Sequence, residues 1–313
     1  MSRIVVALGG NALGNTPDEQ LERVQYTAKV LVPLILAGHN LIICHGNGPQ
    51  VGMINLAFEK GAEAGITPPM PLAECTAMSQ GYIGYHLQNE IDSEIERHGS
   101  FGIPVITMLT QTIVDKDDPA FENPTKPIGS YYSEEDARKL MEATGDTYIE
   151  DSGRGWRKVV PSPKPIGIYE KISLQTLFYA REVIIAGGGG GIPIVKHGHR
   201  YVGVDAVVDK DFAAAKLAEL IDADYFIILT AVDQVAINFG KPNQEGLKEL
   251  TIEEAQAYID EGHFAAGSML PKVQAAMSYA KAKPGRSAII TSLEQAAKAL
   301  EGRVGTKIIC PLC

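Results

Sequence analysis

Ile4-Val5-Val6-Ala7-Leu8-Gly9-Gly10-Asn11-Ala12 opens the chain with an apolar run that breaks into paired glycines. The run is shorter than the hydrophobic region of a signal peptide, so it reads as a buried first strand ending in a loop. Two later stretches repeat the plan. His45-Gly46-Asn47-Gly48-Pro49-Gln50-Val51-Gly52 follows Asn40–Cys44, and Gly187-Gly188-Gly189-Gly190-Gly191-Ile192-Pro193 follows Val183–Ala186. Glycine between a strand and a helix allows close backbone approach and leaves amide N–H groups free to face an anion. One such loop reads as a tight turn; three at carboxyl ends of strands read as a ligand cradle.

Further strands are expected at Val105–Leu109, Tyr225–Thr230, Ala288–Thr291 and Thr306–Ile309. Helices are expected between them. Thr16-Pro17-Asp18-Glu19 and Thr251-Ile252-Glu253-Glu254 spell capping boxes, Gly38 is a helix stop, and Ser268 an N-cap ahead of Pro271. Alternating strands and helices indicate an α/β class with a mostly parallel sheet. The stretch from about 115 to 165 departs from this pattern: six prolines, the only tryptophan (Trp156) and a short helix begun by Ser133 suggest an inserted subdomain.

Glycine accounts for 32 of the 313 residues, against 45 % hydrophobic and 21 % charged. These values exclude disordered and low-complexity classes. With 28 Lys+Arg against 38 Asp+Glu the net charge is −10, which argues against nucleic acid as a partner. No run approaches the roughly 18 apolar residues of a membrane span, so no membrane partner is expected and a cytoplasmic location is. Cys44, Cys75, Cys310 and Cys313 are too few for a disulfide scaffold, and Cys310-Pro311-Leu312-Cys313 has no second pair to complete a zinc site.

Two familiar phosphate fingerprints fail narrowly. Gly46-x-Gly48-x-x-x-Gly52 has one residue too many for the dinucleotide spacing, and Gly9-x-x-x-x-Gly14-Asn15-Thr16 carries Asn15 where a P-loop needs lysine. Positive charge must come from elsewhere. Lys126 sits between Pro124 and Pro127, Lys210 between Asp209 and Asp211, and Lys272 at a helix start, where cations are normally avoided. A solvated surface is the default reading for any one of them. His45 and His263 adjoin motif glycines and read more readily as hydrogen-bonded structural groups than as catalytic ones.

Ala7-Leu8-Gly9-Gly10-Asn11-Ala12, Gly46–Gly52, Ala77-Met78-Ser79-Gln80-Gly81, Asn123-Pro124-Thr125-Lys126-Pro127, Gly153-Arg154-Gly155-Trp156-Arg157, Gly187–Pro193, Val204–Asp211 and His263–Lys272 together, and in this order, resemble the carbamate kinase family of the amino-acid kinase superfamily. The resemblance implies a three-layer α/β/α sandwich around one mostly parallel open sheet. It implies a single domain over 1–313, with an acceptor-binding half at 1–180 that includes a protruding lid at about 115–165, and a nucleotide-binding half at 181–313. It also implies a homodimer and a reversible reaction in which ATP and carbamate give ADP and carbamoyl phosphate. The direction it implies is toward ATP, in arginine catabolism.

Residue roles follow from the same resemblance. Lys126, Lys210 and Lys272 would surround the transferring phosphoryl group, with Asp211 holding the lysines. Gly9, Gly10, Asn11, Gly46, Asn47 and Gly48 would bind phosphate and carbamate, with Gly188 and Gly189 near the acceptor. Thr230, Ala231, Val232, Phe239 and Met269, with Lys210, Asp211 and Lys272, would contact the nucleotide. In this resemblance many relatives carry tyrosine where Phe239 stands; the change keeps the stacking ring and removes the hydroxyl, which puts one polar contact in question. Many members of the superfamily carry a lysine at the position of Ala7, a role that passes to Lys126 of the insertion. Arg154, Trp156 and Arg157 would brace the lid. Mg²⁺ would arrive on nucleotide phosphates, with no dedicated metal residues. Rival readings are another acylphosphate-forming kinase, a nucleotide-sensing regulator and an NAD-dependent oxidoreductase.

Overall fold

The computed structural model describes residues 1–9, 13–14, 16–151 and 153–311. Its central sheet has eight strands in the spatial order Glu249–Thr251, Thr306–Ile309, Ser287–Ser292, Tyr225–Thr230, Arg3–Leu8, Asn40–His45, Val183–Ile185 and Val105–Thr107. All neighbours run parallel except Ser287–Ser292 and Thr306–Ile309. The seven expected strands are all present. The eighth, Glu249–Thr251, is hidden in the sequence because its last residue doubles as a helix cap.

The helices are α1 (Pro17–Leu36), α2 (Gly48–Glu63), α3 (Leu72–Arg97), α4 (Glu134–Thr144), α5 (Lys171–Tyr179), α6 (Lys210–Leu220), α7 (Ile252–Asp260), α8 (Met269–Lys281) and α9 (Ala296–Leu300). Thr16 caps α1 by accepting from the Glu19 amide, and Thr251 and Glu254 complete a reciprocal capping box on α7. Alternate residues of the same strands feed two cores. Ile4, Val6 and Leu8 with Leu41 and Ile43 face α1 and α3, whereas Val5 and Ala7 with Ile42 and Cys44 face α5, α6 and α8. Buried β-branched strands clad on both faces by helices make a three-layer α/β/α sandwich.

Three smaller sheets accompany the first, one of them only the two-stranded pair Ala236–Ile237 and Glu245–Gly246. Arg200–Gly203, Ile192–His197, Gln111–Val114 and Pro165–Ile168 form another, and Lys126–Tyr132, Trp156–Val160 and Thr147–Glu150 form an antiparallel trio beside α4. The trio lies within the proline-rich stretch. It rests on α2, where Gly52 meets Gly129 so closely that a Cβ on Gly52 would lie 3.1 Å from the Gly129 backbone. Gly129 has φ +70 at the register shift between Ile128 and Tyr132. Arg157 ties the trio internally, donating to the Gly129 carbonyl at 3.2 Å and pairing with Asp151 at 3.1 Å.

Candidate functional site

The loops after Arg3–Leu8, Asn40–His45 and Val183–Ile185 all leave the sheet at its carboxyl edge, and these three strands are adjacent in the sheet. Gly9, the Gly46–Gly48 turn and the Gly187–Gly191 turn, far apart in sequence, therefore follow neighbouring strands at that edge. A cleft of about 340 Å³ opens there, lined by Gly46, Asn47, Gly48, Gly189, Lys126, Asp209, Lys210, Asp211, Gly267, Ser268 and Lys272 among others. The three lysines converge.

Packing of α6 on α8 brings two of them together. Ala214, Ala215 and Ala218 of α6 share one core with Ala275, Ala276 and Ala280 of α8, and small side chains let the axes approach. At the N-terminal ends of these helices Asp211 accepts from Lys210 Nζ at 2.5 Å and from Lys272 Nζ at 2.9 Å. Asp211 is buried, with its side chain 3 % exposed, and each lysine side chain 12 %. Burial would raise the Asp211 carboxyl, but the adjoining Lys210 and Lys272 charges overcome it and hold its pKa down to about 2. Burial likewise disfavours charge on Lys210, yet Asp211 reverses this and its pKa is raised. Lys272 is lowered, first by burial and then by the Lys210 charge. One carboxylate balances two ammonium groups, which leaves surplus positive charge facing the cleft. That surplus explains a lysine at the start of α8.

Lys126 arrives from the other side, on the first strand of the antiparallel trio. Its Nζ donates to Asp209 Oδ2 at 2.7 Å. Asp209 Oδ1 meanwhile caps α6, accepting from the Asp211 amide at 2.9 Å. The sequence reading gave Asp209 no role. Its signal was a helix N-cap position immediately before Lys210.

Asn47 and Ser268 precede α2 and α8, and neither side chain caps its helix. Thr16, Ser133 and Thr251 do cap α1, α4 and α7, and none of the three lines the cleft, whereas α6, which starts there, is capped by Asp209. The cleft thus receives two helix N-termini without side-chain caps, each a favourable place for an anion.

Other expected site residues are distributed around this centre. Gly188 is buried behind the cleft, where a Cβ would overlap the His45 ring. Gly9, Thr230 and Ala231 line a separate cleft of about 180 Å³ with Arg23, Tyr26 and Glu294. Val232 is half-buried, Phe239 is exposed, and Met269 packs partly into the core at the start of α8. Gly10 and Asn11 lie outside the described residues. His45 is buried, and burial lowers its pKa to about 4, the Gly46 carbonyl resisting and Lys210 adding to the shift. It is neutral near pH 7. His263 pairs with Glu261 at 3.1 Å and does not line the lysine cleft.

The sequence model of the amino acid kinase family matches residues 2–292. The chain belongs to that family, in its carbamate kinase branch. It is 53 % identical over 309 residues to the carbamate kinase-like protein YqeA of Escherichia coli, covering 98 % of this chain and 99 % of that protein. It is 54 % identical over 308 residues to carbamate kinase of Staphylococcus haemolyticus, with the same coverage. The solved structure of carbamate kinase from Giardia lamblia bound to AMP-PNP superposes with a TM-score of 0.91, at 43 % identity over 99 % of each chain. Membership makes the chain a nucleotide-using phosphotransferase, and the oxidoreductase and non-catalytic readings fall away.

Proposed function

We propose that this chain catalyses reversible phosphoryl transfer between ATP and carbamate, giving ADP and carbamoyl phosphate. The observation that carries the reading is the cleft itself, where Lys210–Asp211–Lys272 and Lys126–Asp209 face one another beside glycine loops. Carbamate carries an anionic oxygen at neutral pH, so attack on the γ-phosphorus needs no general base. A new P–O bond forms to the carbamate oxygen as the bond to the ADP oxygen breaks. Catalysis then consists of alignment and charge neutralisation.

In this reading Lys210 and Lys272 hold the phosphoryl oxygens throughout, and Asp211 keeps the two ammonium groups in place. Lys126 exchanges Asp209 for the transferring group, so the antiparallel trio acts as a lid that delivers charge. Amides of Gly46, Asn47 and Gly48, with the Gly188–Gly189 turn, cradle the acceptor and transferred group, joined by Gly10 and Asn11 on the strength of the family resemblance, while Gly9 lines the neighbouring cleft with Thr230 and Ala231. Residues 1–180 thereby form the acceptor half and 181–313 the nucleotide half, with Thr230, Ala231, Val232, Phe239 and Met269 along the nucleoside.

Mg²⁺ carried on nucleotide phosphates suits this donor set. Asp209 and Asp211 are already engaged by lysines, and among the described residues no three His, Cys, Asp or Glu are grouped to hold a metal. A hard octahedral ion would take phosphate oxygens and water here, and its contribution is neutralisation of phosphate charge. Among the described residues no helix is long and apolar enough to cross a membrane. Flux toward ATP in arginine catabolism, a homodimer and a cytoplasmic location complete the proposal, supported by resemblance to the relatives.

The test is ATP formation from ADP and carbamoyl phosphate with Mg²⁺, coupled to a reporter enzyme. We expect robust turnover that Lys210→Ala abolishes. No ATP from the parent protein would sink the reading, as would a Lys210→Ala variant indistinguishable from it.

A further inference from the structure

Ser79 and Gln80, on α3, belong to a sequence motif for which phosphoryl transfer leaves no role, yet both are fully buried behind the cleft. Gln80 clamps the backbone of Thr110, donating to its carbonyl at 3.0 Å and accepting from its amide at 2.8 Å. Thr110 Oγ1 in turn accepts from the Gly187 amide at 3.0 Å, so α3 is locked to the start of the five-glycine loop. Ser79 reaches the other cleft loop. Its Oγ lies 2.7 Å from the Thr76 carbonyl and 2.9 Å from Asn47 Nδ2.

The direction of these two bonds is dictated by chemistry. A carbonyl only accepts, so the Ser79 hydroxyl proton points at Thr76 and its lone pairs are left for Asn47. Asn47 must therefore turn its NH2 toward Ser79 and its Oδ1 away. The amide lies flat against Gly189, where a Cβ would meet Asn47 Nδ2 at 2.1 Å. Asn47 lines the cleft, and among the described residues no protein donor reaches its Oδ1. The polar atom that it offers to a cleft otherwise rich in donors is an acceptor.

We infer that Asn47 Oδ1 is the specificity determinant for the substrate's amino group, and that Ser79 is the positioning residue that fixes its orientation. The inference rests on the carbamate kinase reading. The nitrogen of carbamate or carbamoyl phosphate is conjugated with its carbonyl, so it is planar and acts as a donor only. Asn47 Oδ1 accepts one of its N–H groups. An acyl phosphate with methyl in place of the amino group leaves Oδ1 dehydrated and unpaired, which costs more than a missing attraction.

The experiment compares carbamoyl phosphate with acetyl phosphate as phosphoryl donors to ADP, reading kcat/KM for each in the full chain. The parent should prefer carbamoyl phosphate. Asn47→Leu keeps the bulk without the acceptor, and Ser79→Ala frees the amide to rotate and present its NH2. In both, the preference should fall by at least roughly tenfold, while Ser79→Thr, which retains the hydroxyl, should keep most of it. A merely structural role would lower both donors together. If the parent makes ATP and the preference survives in Asn47→Leu and Ser79→Ala, the inference is wrong while the carbamate kinase reading stands. No ATP from either donor in the parent overturns both.

Discussion

Two lysines on the body and one on the antiparallel trio face the same cleft under different conditions. Lys210 and Lys272 are 12 % exposed and share the buried Asp211, whereas Lys126 is 38 % exposed and meets Asp209 through a single contact. A buried ion triad is part of the fold, because removing one member strands the others without solvent. In the Lys126–Asp209 pair the lysine is partly exposed although the carboxylate is only 14 % exposed, so water can reach the ammonium group and the contact costs less to break than the triad. The body charges are thus built in, whereas the proposed lid role asks Lys126 to leave Asp209.

The largest effect that can test this contrast is expected from Asp211→Asn. It leaves two buried ammonium groups uncompensated, and unfolding in urea should show a loss of about 3–5 kcal/mol together with loss of turnover. A variant as stable as the parent would show that the triad is not structural. The pH dependence follows from the same group. Its folded pKa of about 2 lies below the ordinary carboxylate value, so the unfolded chain binds its proton first as pH falls. The stabilisation is fully present above about pH 4 and disappears as pH falls through about 2. The stability gap between parent and Asp211→Asn should therefore narrow over that window, and a constant gap would contradict the assignment.

Lys126→Ala should behave in the opposite way. Turnover falls by roughly 10²–10³-fold if the lid charge serves the transition state, while stability falls by only about 1 kcal/mol, well short of the Asp211→Asn loss. The Michaelis constant for ADP should barely move. Equal losses in turnover and nucleotide affinity would place Lys126 in ground-state binding instead.

Gly52→Ala probes the seat of the trio and should have the smallest effect. Its new methyl would press on the Gly129 backbone and displace the strand carrying Lys126 by tenths of an ångström. We expect a several-fold loss of turnover and a stability cost of about 1 kcal/mol. Full activity would mean that the trio can slide on α2 without misplacing its lysine.

Much of this protein is legible along the chain because strand–glycine–helix junctions are local. The run ending in Leu8-Gly9, the capping box at Thr251 and the stop at Gly38 depend on neighbours only a few residues away. Lys126, Lys210 and Lys272 stand out by their punctuation, yet each alone reads as a solvated lysine. Asp209 escaped notice because its two roles, capping α6 and pairing with Lys126, involve partners 2 and 83 positions away, and only the first is a sequence signal. Ser79 and Gln80 were visible only as part of a motif. Their hydrogen bonds run to Asn47 and Thr110, each about thirty positions distant.

The sequence by itself determined the class of fold, the family and which residue types carry charge beside glycine, since periodicity and turn chemistry are properties of short segments. Tertiary structure decided which lysine shares a carboxylate, which is held at the rim, and which way the Asn47 amide points. Strand order in the sheet and the close alanine packing of α6 on α8 set those distances. Coulomb interaction, desolvation and hydrogen-bond direction depend on distance in space, which separation along the chain does not reveal.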